Sequence, residues 1–507
     1  MRKRVIIPLL ICILLASCSN GGVGNEPTAP DDRPNLQGTS FEKLNLPENY
    51  DIRQFEGMTL NFIVENNLYA NILSHEGEEF SEITGININI KPVDFDTLVQ
   101  KINLDFIAQA GQYQIIYVDP YQTLNRFSDY LELLNPYNED PNFPRIEGFL
   151  DDFFENQTMV CSYFKNDEHV YAVPFDSTTM ILYYRKDIFE KYKEQFRKDA
   201  GYDWTPGTSG FTWERYCEAA KWIDENVPNE EVQYGSGLMA QEHNSIFCEF
   251  SNILAAYGGD YFSDDKINTL GLDTFTKINV LNEDFIQALD IYKKVAGVSA
   301  PKSVNWNWTD LAKAFRDGDV AMMANWDENY TYIEDKMYSK VNGKVGYAIL
   351  PYGDKRSANI YGGSGIGINK YAAEEEKKAA WLYTVWATAK EMQLEVLKHP
   401  EGGSLPTRKS AYEDPVIKAR LESSNSEPGE DAVLKHMSAV IEAWKPQNIY
   451  LRPKVSNFYE VEKVLVSNLH DMIELNLDSS KTAEKIDQEL KEILEGNRSG
   501  GGYGEQN

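Results

Sequence analysis

Through the first part of this 507-residue chain, short apolar runs with strand character alternate with helical patterns. Met58 to Val64, Ile86 to Ile90 and Tyr113 to Val118 read as strands, and Ile72 to Ile83 and Phe95 to Ala110 as helices. No other feature constrains the fold as much, because a strand followed by a crossover helix and another strand pairs in parallel and puts the helices on the sheet faces. Ile181 to Tyr184 reads as a further strand. Thr212 stands where a helix N-cap belongs, with Trp213, Tyr216, Cys217, Ala220 and Ile223 following on one face. The last third is mostly helical: Glu375 to Ala389, Asp431 to Ala443, Val461 to Leu475, and Ile486, Leu490, Ile493 and Leu494 at one-face spacing. The predicted class is α/β, without an internal repeat.

Ahead of this body the chain opens on Met1-Arg-Lys-Arg4, an uncharged apolar run from Val5 to Leu15, and the small residues Ala16 and Ser17. About eleven apolar residues are too few to span a bilayer, which takes roughly 20, so residues 1–17 read as a signal peptide. Leu15-Ala16-Ser17-Cys18 resembles the lipobox of bacterial lipoproteins, which implies cleavage before Cys18, acyl chains (palmitate) on it, and a protein held at the membrane on the outer side, at a cell surface or in a periplasm. An ordinary secretory peptide with a chance cysteine, or an uncleaved anchor, are the other readings. Residues 18–56, rich in Gly, Pro, Asn and Asp, read as a flexible tether, and 499–507 as a frayed tail.

About 490 residues after the leader exceed what one hydrophobic core serves, so length alone predicts two large lobes. Loss of Arg2, Lys3 and Arg4 takes the formal charge from −30 to −33, and so acidic a surface repels phosphate backbones, which argues against nucleic acid as a partner. Cys161, Cys217 and Cys248 are odd in number and widely spaced, so they read as buried apolar residues rather than a disulfide framework. The six histidines include no pair at metal-ligand spacing, and neither a metal nor a cofactor is expected.

A series of landmarks then carries a resemblance along almost the whole chain. Phe80-Ser-Glu-Ile-Thr-Gly-Ile86, Gln112-Tyr-Gln-Ile-Ile-Tyr-Val-Asp119, Tyr171-Ala-Val-Pro-Phe-Asp176 and Leu182-Tyr-Tyr-Arg-Lys-Asp187 come first. Phe211-Thr-Trp-Glu-Arg-Tyr216, Tyr257-Gly-Gly-Asp260, Phe315-Arg-Asp-Gly-Asp-Val-Ala-Met322, Gly346-Tyr-Ala-Ile-Leu-Pro351, Gly362-Gly-Ser-Gly-Ile-Gly-Ile368 and Leu405-Pro-Thr-Arg-Lys409 follow. In this colinear order they resemble the extracellular solute-binding proteins of ABC importers, in the sugar-binding family that includes maltose-binding protein. Each motif alone is weak, and the order is what makes the resemblance specific. Leu134 to Asn156 and Asp264 to Asn307 depart from it as extra sequence.

The resemblance implies a two-lobed periplasmic-binding-protein fold of type II kind, each lobe a mixed, mostly parallel sheet flanked by helices, with the ligand cleft between. It divides the chain into 57–175 (first lobe), 176–347 (second lobe), 348–402 (first lobe again) and 403–498 (second lobe again, helical). The implied partners are a small carbohydrate, expected to be an oligosaccharide, and the permease subunits of an importer, with the receptor itself a monomer.

A sugar ring has one face of C–H groups and a rim of hydroxyls, so a receptor needs flat aromatics beneath it and carboxylates or amides around it. Binding crevices lie off the carboxyl ends of parallel strands, which places the loops after Val64, Val118 and Tyr184 near the ligand. Glu65, Asn66 and Asn67 follow the first of these, although Asn also builds turns. Asp119 and Tyr121 follow the second, with a helix N-cap the alternative role for Asp119. By resemblance Asp176 sits at the first crossing between lobes, with a plain turn former as the alternative, and Trp326 is the stacking tryptophan with a core tryptophan as the alternative. Gly362 and Gly363 fit a backbone passing close to a ligand or equally a tight turn or hinge, and Tyr361 beside them is included in the site. Tyr459 would complete the ring sandwich, with Phe458 as the fallback if the register slips. Trp306 and Trp308 read as edge packing, and Arg408 as structural.

For chemistry, Gly362-Gly-Ser-Gly-Ile366 nearly spells a nucleophile elbow, but Ile stands where the final Gly must relieve the turn. The reading is therefore a receptor and not an enzyme. Its rivals are a receptor of the same fold for a peptide, polyamine or other solute, and a secreted carbohydrate-active enzyme, since 79 acidic residues guarantee coincidental carboxylate pairs.

Overall fold

Helices begin where a side chain can accept the orphaned amide protons of a first turn. Asn67 Oδ1 accepts from the Ala70 N–H at 2.9 Å ahead of the helix Leu68–Thr84, and Asp94 from the Thr97 N–H at 2.9 Å ahead of Phe95–Ala108. Thr212 caps Trp213–Asn226 through the Arg215 N–H, the role its sequence position predicts. The computed structural model describes residues 34–399, 404–424 and 435–500. The leader, Cys18, residues 501–507 and the start of the helix expected at Asp431 lie outside the described residues; the described part of that helix is Met437–Ala443.

Among the described residues ten strands follow in chain order: β1 (Thr59–Glu65), β2 (Asn87–Val93), β3 (Ile115–Val118), β4 (Ala172–Asp176), β5 (Met180–Arg185), β6 (Met322–Trp326), β7 (Val345–Ala348), β8 (Asn359–Ile360), β9 (Ser364–Ile368) and β10 (Ile449–Tyr450). The first sheet has the order β2-β1-β3-β9-β4, with β1 parallel to both its neighbours and β9 antiparallel to both of its own. The second, β6-β5-β7, is antiparallel throughout, and β8 and β10 form a short parallel pair. The mostly parallel pairing expected of each lobe therefore holds at β2-β1-β3, where crossover helices force it, and gives way elsewhere. Long excursions join β5 to β6 and β4 to β9, and a long excursion can return to a sheet from either end.

Two apolar cores result. Phe62, Ile115, Ile366, Trp381 and Trp386 belong to one, and Ile181, Leu182, Phe247, Phe285 and Leu465 to the other. These are the two lobes. Their borders differ from the expected ones in two places. Residues 36–56, expected within the tether, fold onto the first lobe: Phe41, Ile52 and Phe55 are buried, Phe41 lies against Phe80 and Trp386, and Trp386 Nε1 donates to Ser40 Oγ at 2.7 Å. A few well-spaced aromatic and aliphatic residues were enough to dock a segment whose composition looked like coil. Residues 348–361, expected to reopen the first lobe, give Ile349, Leu350, Ile360 and Tyr361 to the second core, and the chain rejoins the first sheet only at β9.

The passages between lobes converge. Thr179 pairs antiparallel with Tyr361, the Gly362 N–H donates to Thr178 O at 2.9 Å, and Ser177 Oγ donates to Leu405 O at 2.7 Å. The helix Lys390–Lys398 straddles the junction, with Met392 and Val396 in the first core and Leu394 and Leu397 in the second. Arg408 is buried, donates through Nε to Thr388 O at 2.6 Å and pairs with Asp152 at 3.3 Å, the structural role its position suggested.

Candidate functional site

Strand ends from both lobes deliver polar side chains to one cleft of about 480 Å³. From the first lobe come Glu65 and Asn66 at the end of β1, Asn67 and Asn71 on the helix that follows, Asp119 after β3, and Phe95. The second lobe contributes Trp326 at the end of β6, Glu328 and Asn329 in the turn after it, Asn244, Trp308 and Arg452, and the crossings add Thr178 and Gly362. Five of the ten residues expected at a ligand site, namely Glu65, Asn66, Asn67, Asp119 and Trp326, thus line one cavity.

Trp326 owes its seat to a missing side chain. A Cβ on Gly362 would lie 2.5 Å from Cζ3 of the Trp326 ring, so only glycine lets the indole rest on the crossing backbone. Opposite, Phe95 and Trp308 meet edge to face at 6.1 Å, and His243 Nε2 stands 3.6 Å from Asp96 Oδ2, so the two lobes touch at the mouth.

The remaining expected residues stand elsewhere. Tyr121 is 1 % exposed and serves as a platform: the Arg452 guanidinium lies 3.9 Å over its ring, and its hydroxyl accepts from the Arg452 N–H at 3.3 Å. Asp119 Oδ1 caps the π-helical turn Pro120–Leu124 through the N–H groups of Tyr121 and Gln122, and that turn rotates the Tyr121 ring inward. Asp176 is buried behind Glu65. Tyr361 is fully buried, its hydroxyl donating to Asp176 O at 3.4 Å. Gly363 packs on that same hydroxyl instead of facing the cleft, which leaves Gly362 as the glycine at the cavity. Tyr459 is 51 % exposed on the helix Phe458–Glu474, under Arg126, and Phe458 is buried against Tyr121 and Phe247. Neither completes a ring sandwich, because the helix starts at that point and turns the two side chains apart. Trp308, read as edge packing, instead opens the helix Trp308–Arg316 at the cleft, held there by an Asn307 capping box.

Like charges crowd this interior. Tyr117 Oη lies 3.1 Å from Glu65 Oε2 and 3.2 Å from Asp176 Oδ2, and Asn67 Nδ2 donates to Asp176 Oδ2 at 3.3 Å. One hydroxyl proton serves two carboxylates, so a further proton is favoured between them. Burial, with the neighbouring Asp176 charge, pushes Glu65 up to about 8, and burial pushes Asp176 up to about 6. Burial also lifts Asp327 to about 7 even though it accepts from Thr179 N and Thr178 Oγ1, and Glu328 is held well above the usual carboxylate range by burial and then by Asp176 and Glu65.

These shifts set a sign. A carboxyl whose folded pKa is raised holds its proton longer in the folded chain, so its contribution is present below the unfolded value and is lost as pH climbs through the folded one. Lys454, pushed down to about 7 by burial where it donates to Val160 O at 2.8 Å, opposes the trend only above its own pKa. The melting temperature of the ligand-free protein should therefore fall as pH rises from about 5 to about 8, less steeply above about 7 where Lys454 opposes it. Differential scanning calorimetry checks this, and a flat or rising melting temperature over that interval would contradict the protonation scheme.

Comparison with known proteins agrees with the two-lobed fold. A family model described as bacterial extracellular solute-binding protein matches residues 77–422. A probable amino-acid ABC transporter periplasmic-binding protein of Sinorhizobium fredii is 22% identical over 445 residues, covering 87% of this chain and 90% of that protein. The mannitol-binding protein of Pseudomonas aeruginosa is 23% identical over 334 residues, 64% of this chain and 67% of its own. Among solved structures, maltose-bound MalE3 of T. maritima superposes with a TM-score of 0.69 at 24% identity, over 86% of this chain and 100% of that one.

Proposed function

Because the chain belongs to the bacterial extracellular solute-binding protein family, we propose that it is the substrate-binding lipoprotein of an ABC importer, capturing a carbohydrate between its lobes and handing it to a membrane permease. The observation that carries this reading is the cleft itself: a tryptophan face at Trp326 with amides and carboxylates around it, drawn from two lobes joined by converging crossings. Flat ring below and hydrogen-bonding rim above is the arrangement a sugar requires. The maltose carried by the T. maritima structure and the mannitol in the name of the Pseudomonas relative support a sugar or polyol.

Opening would bend the crossings at Asp176 to Thr179 and Tyr361 to Ser364 and part Phe95 from Trp308, and closure over a ligand would restore that contact. The ligand shifts the balance by binding the closed form better. On this reading no bond is made or broken, and Asp176, buried and accepting from Tyr117, is not among the residues that line the cavity. On this reading Glu65, Asn66, Asn67, Asp119 and Trp326 touch the ligand, and the receptor acts as a monomer. Cys18 carries the lipid, which places the protein on the outer side of the membrane, and the Leu15 to Cys18 motif supports that anchor. No helix among the described residues is long and apolar enough to cross a membrane.

A thermal-shift screen of the mature protein against maltose, maltotriose, mannitol, amino acids, peptides and spermidine tests the class. A sugar or polyol present at about 100 times its dissociation constant should add about 2.7 kcal/mol to stability. A shift by peptides or spermidine with none by any sugar would overturn the carbohydrate class, and turnover of a labelled oligosaccharide would overturn the receptor.

A further inference from the structure

The cleft gathers more acidic side chains than its own basic residues balance. Glu65 reaches it from the end of β1 in the first lobe and Glu328 from the turn after β6 in the second, with Asp176 immediately behind Glu65. Among the described residues none of these three carboxylates forms an ion pair, and the Glu328 carboxylate accepts no hydrogen bond. Asp119, 5 % exposed, spends Oδ1 on the turn it caps and has no described partner for Oδ2, although the residue lines the cavity. Arg452 is the one basic side chain among the described residues of the lining. Its guanidinium is committed to the Tyr121 ring and to Cys248 Sγ at 3.6 Å, and it offsets Asp119 without reaching Glu328.

Closing the lobes over a neutral solute leaves Glu65 and Glu328 holding their protons, because exclusion of water makes uncompensated charge in the cleft costlier, whereas a positive charge between them would let both ionise. Two agents could supply the missing charge: a metal ion or a charged ligand. A metal needs several convergent ligands, and among the described residues no group of three His, Cys, Asp or Glu side chains is placed to hold one. An ammonium group needs only acceptors on two or three sides, and the aromatic faces of Trp326, Trp308 and Phe95 in the same cavity suit a cation next to an apolar ring.

We propose that the captured solute is an ammonium-bearing carbohydrate, an amino sugar or an oligosaccharide containing one, whose charged nitrogen sits between Glu65 of the first lobe and Glu328 of the second while its ring lies on Trp326. This rests on the carbohydrate reading above and narrows it. Glu65 and Glu328 are then the specificity-determining pair, and the ligand is itself the counter-charge that lets them ionise in the shut cleft.

The test is isothermal titration of the mature protein at pH 7.5 with glucosamine, galactosamine and the β-1,4-linked glucosamine dimer, each beside its N-acetylated and its plain hydroxyl counterpart. The amino forms should bind at least tenfold more tightly than either neutral form. Glu328→Gln and Glu65→Gln, each confirmed folded by its melting transition, should bring that ratio below threefold, and raising salt should weaken the amino forms alone. Neutral sugars that bind as well as their amino counterparts would overturn the charge assignment and leave the carbohydrate reading standing, as would a preference that survives both substitutions. Binding of spermidine or lysine with no sugar of either kind bound would overturn the carbohydrate reading and this proposal with it.

Discussion

Replacing Trp326 by alanine should weaken sugar binding about 30-fold, the equivalent of about 2 kcal/mol, which corresponds to roughly 80 Å² of apolar ring face no longer covered at about 25 cal/mol per Å². The ring is mostly enclosed, resting on Gly362 and the crossing backbone. Removing it also leaves a void in the second core, and loss of a buried tryptophan costs about 3 to 5 kcal/mol of stability. Affinity and stability must therefore be read separately: titration calorimetry well below the melting transition gives the first, and urea unfolding the second. Trp326→Phe keeps a flat face over the same glycine and should lose only a few-fold in affinity. Binding within threefold of the parent in Trp326→Ala would remove this ring from the ligand's floor.

Gly363→Ala should be strongly destabilising, at about 3 kcal/mol, the upper end of what overpacking usually costs. The added carbon would stand 2.1 Å from Tyr361 Oη and 2.4 Å from Asp176 O. Tyr361 is fully buried and its hydroxyl sits against Cys161, so it has nowhere to swing, and the carbonyl belongs to the first crossing. Gly77→Ala is the matched control. It lies within the helix Leu68–Thr84 with nothing within 4 Å of the new carbon, and should stabilise by about 0.5 to 1 kcal/mol because the unfolded chain loses freedom. Equal effects of opposite expectation, measured by urea denaturation, would show that space at the crossing does not set the cost.

Strand ends were the legible part of this site. Apolar runs closing at Val64 and Val118 announce where polar side chains must emerge, and Glu65, Asn66, Asn67 and Asp119 do line the cleft. Trp326 came instead from the likeness of the stretch before it to the family's, and it too lines the cleft. What stayed hidden depends on long-range geometry. Glu328 and Trp308 reach the cavity because β6 and the helix Trp308–Arg316 lie side by side, which no local pattern reports. Arg452 belongs to a late segment that passes over Tyr121, a contact across more than 300 residues of sequence. Tyr121 and Tyr459 do not line the cavity, because a π-helical turn rotates one ring inward and the first turn of a helix carries the other outward. Burial of residues 36–56 escaped for a related reason: composition predicts coil, and a few aromatic anchors suffice to pin coil to a core.

The position of β9 has a consequence for how the molecule comes into being. This strand lies between β3 and β4 yet is synthesised after both and after most of the other lobe. A growing chain that has released β4 has no strand to set beside it, and the facing edges of β3 and β4 stay open as templates for wrong pairing until Ser364–Ile368 arrives. Neither lobe is a contiguous block of sequence, so neither can mature on the ribosome ahead of the other, and recombination at a single point cannot exchange one lobe for a relative's. New ligand preferences in such a chain must arise by substitution in place, at the few side chains that face the cavity.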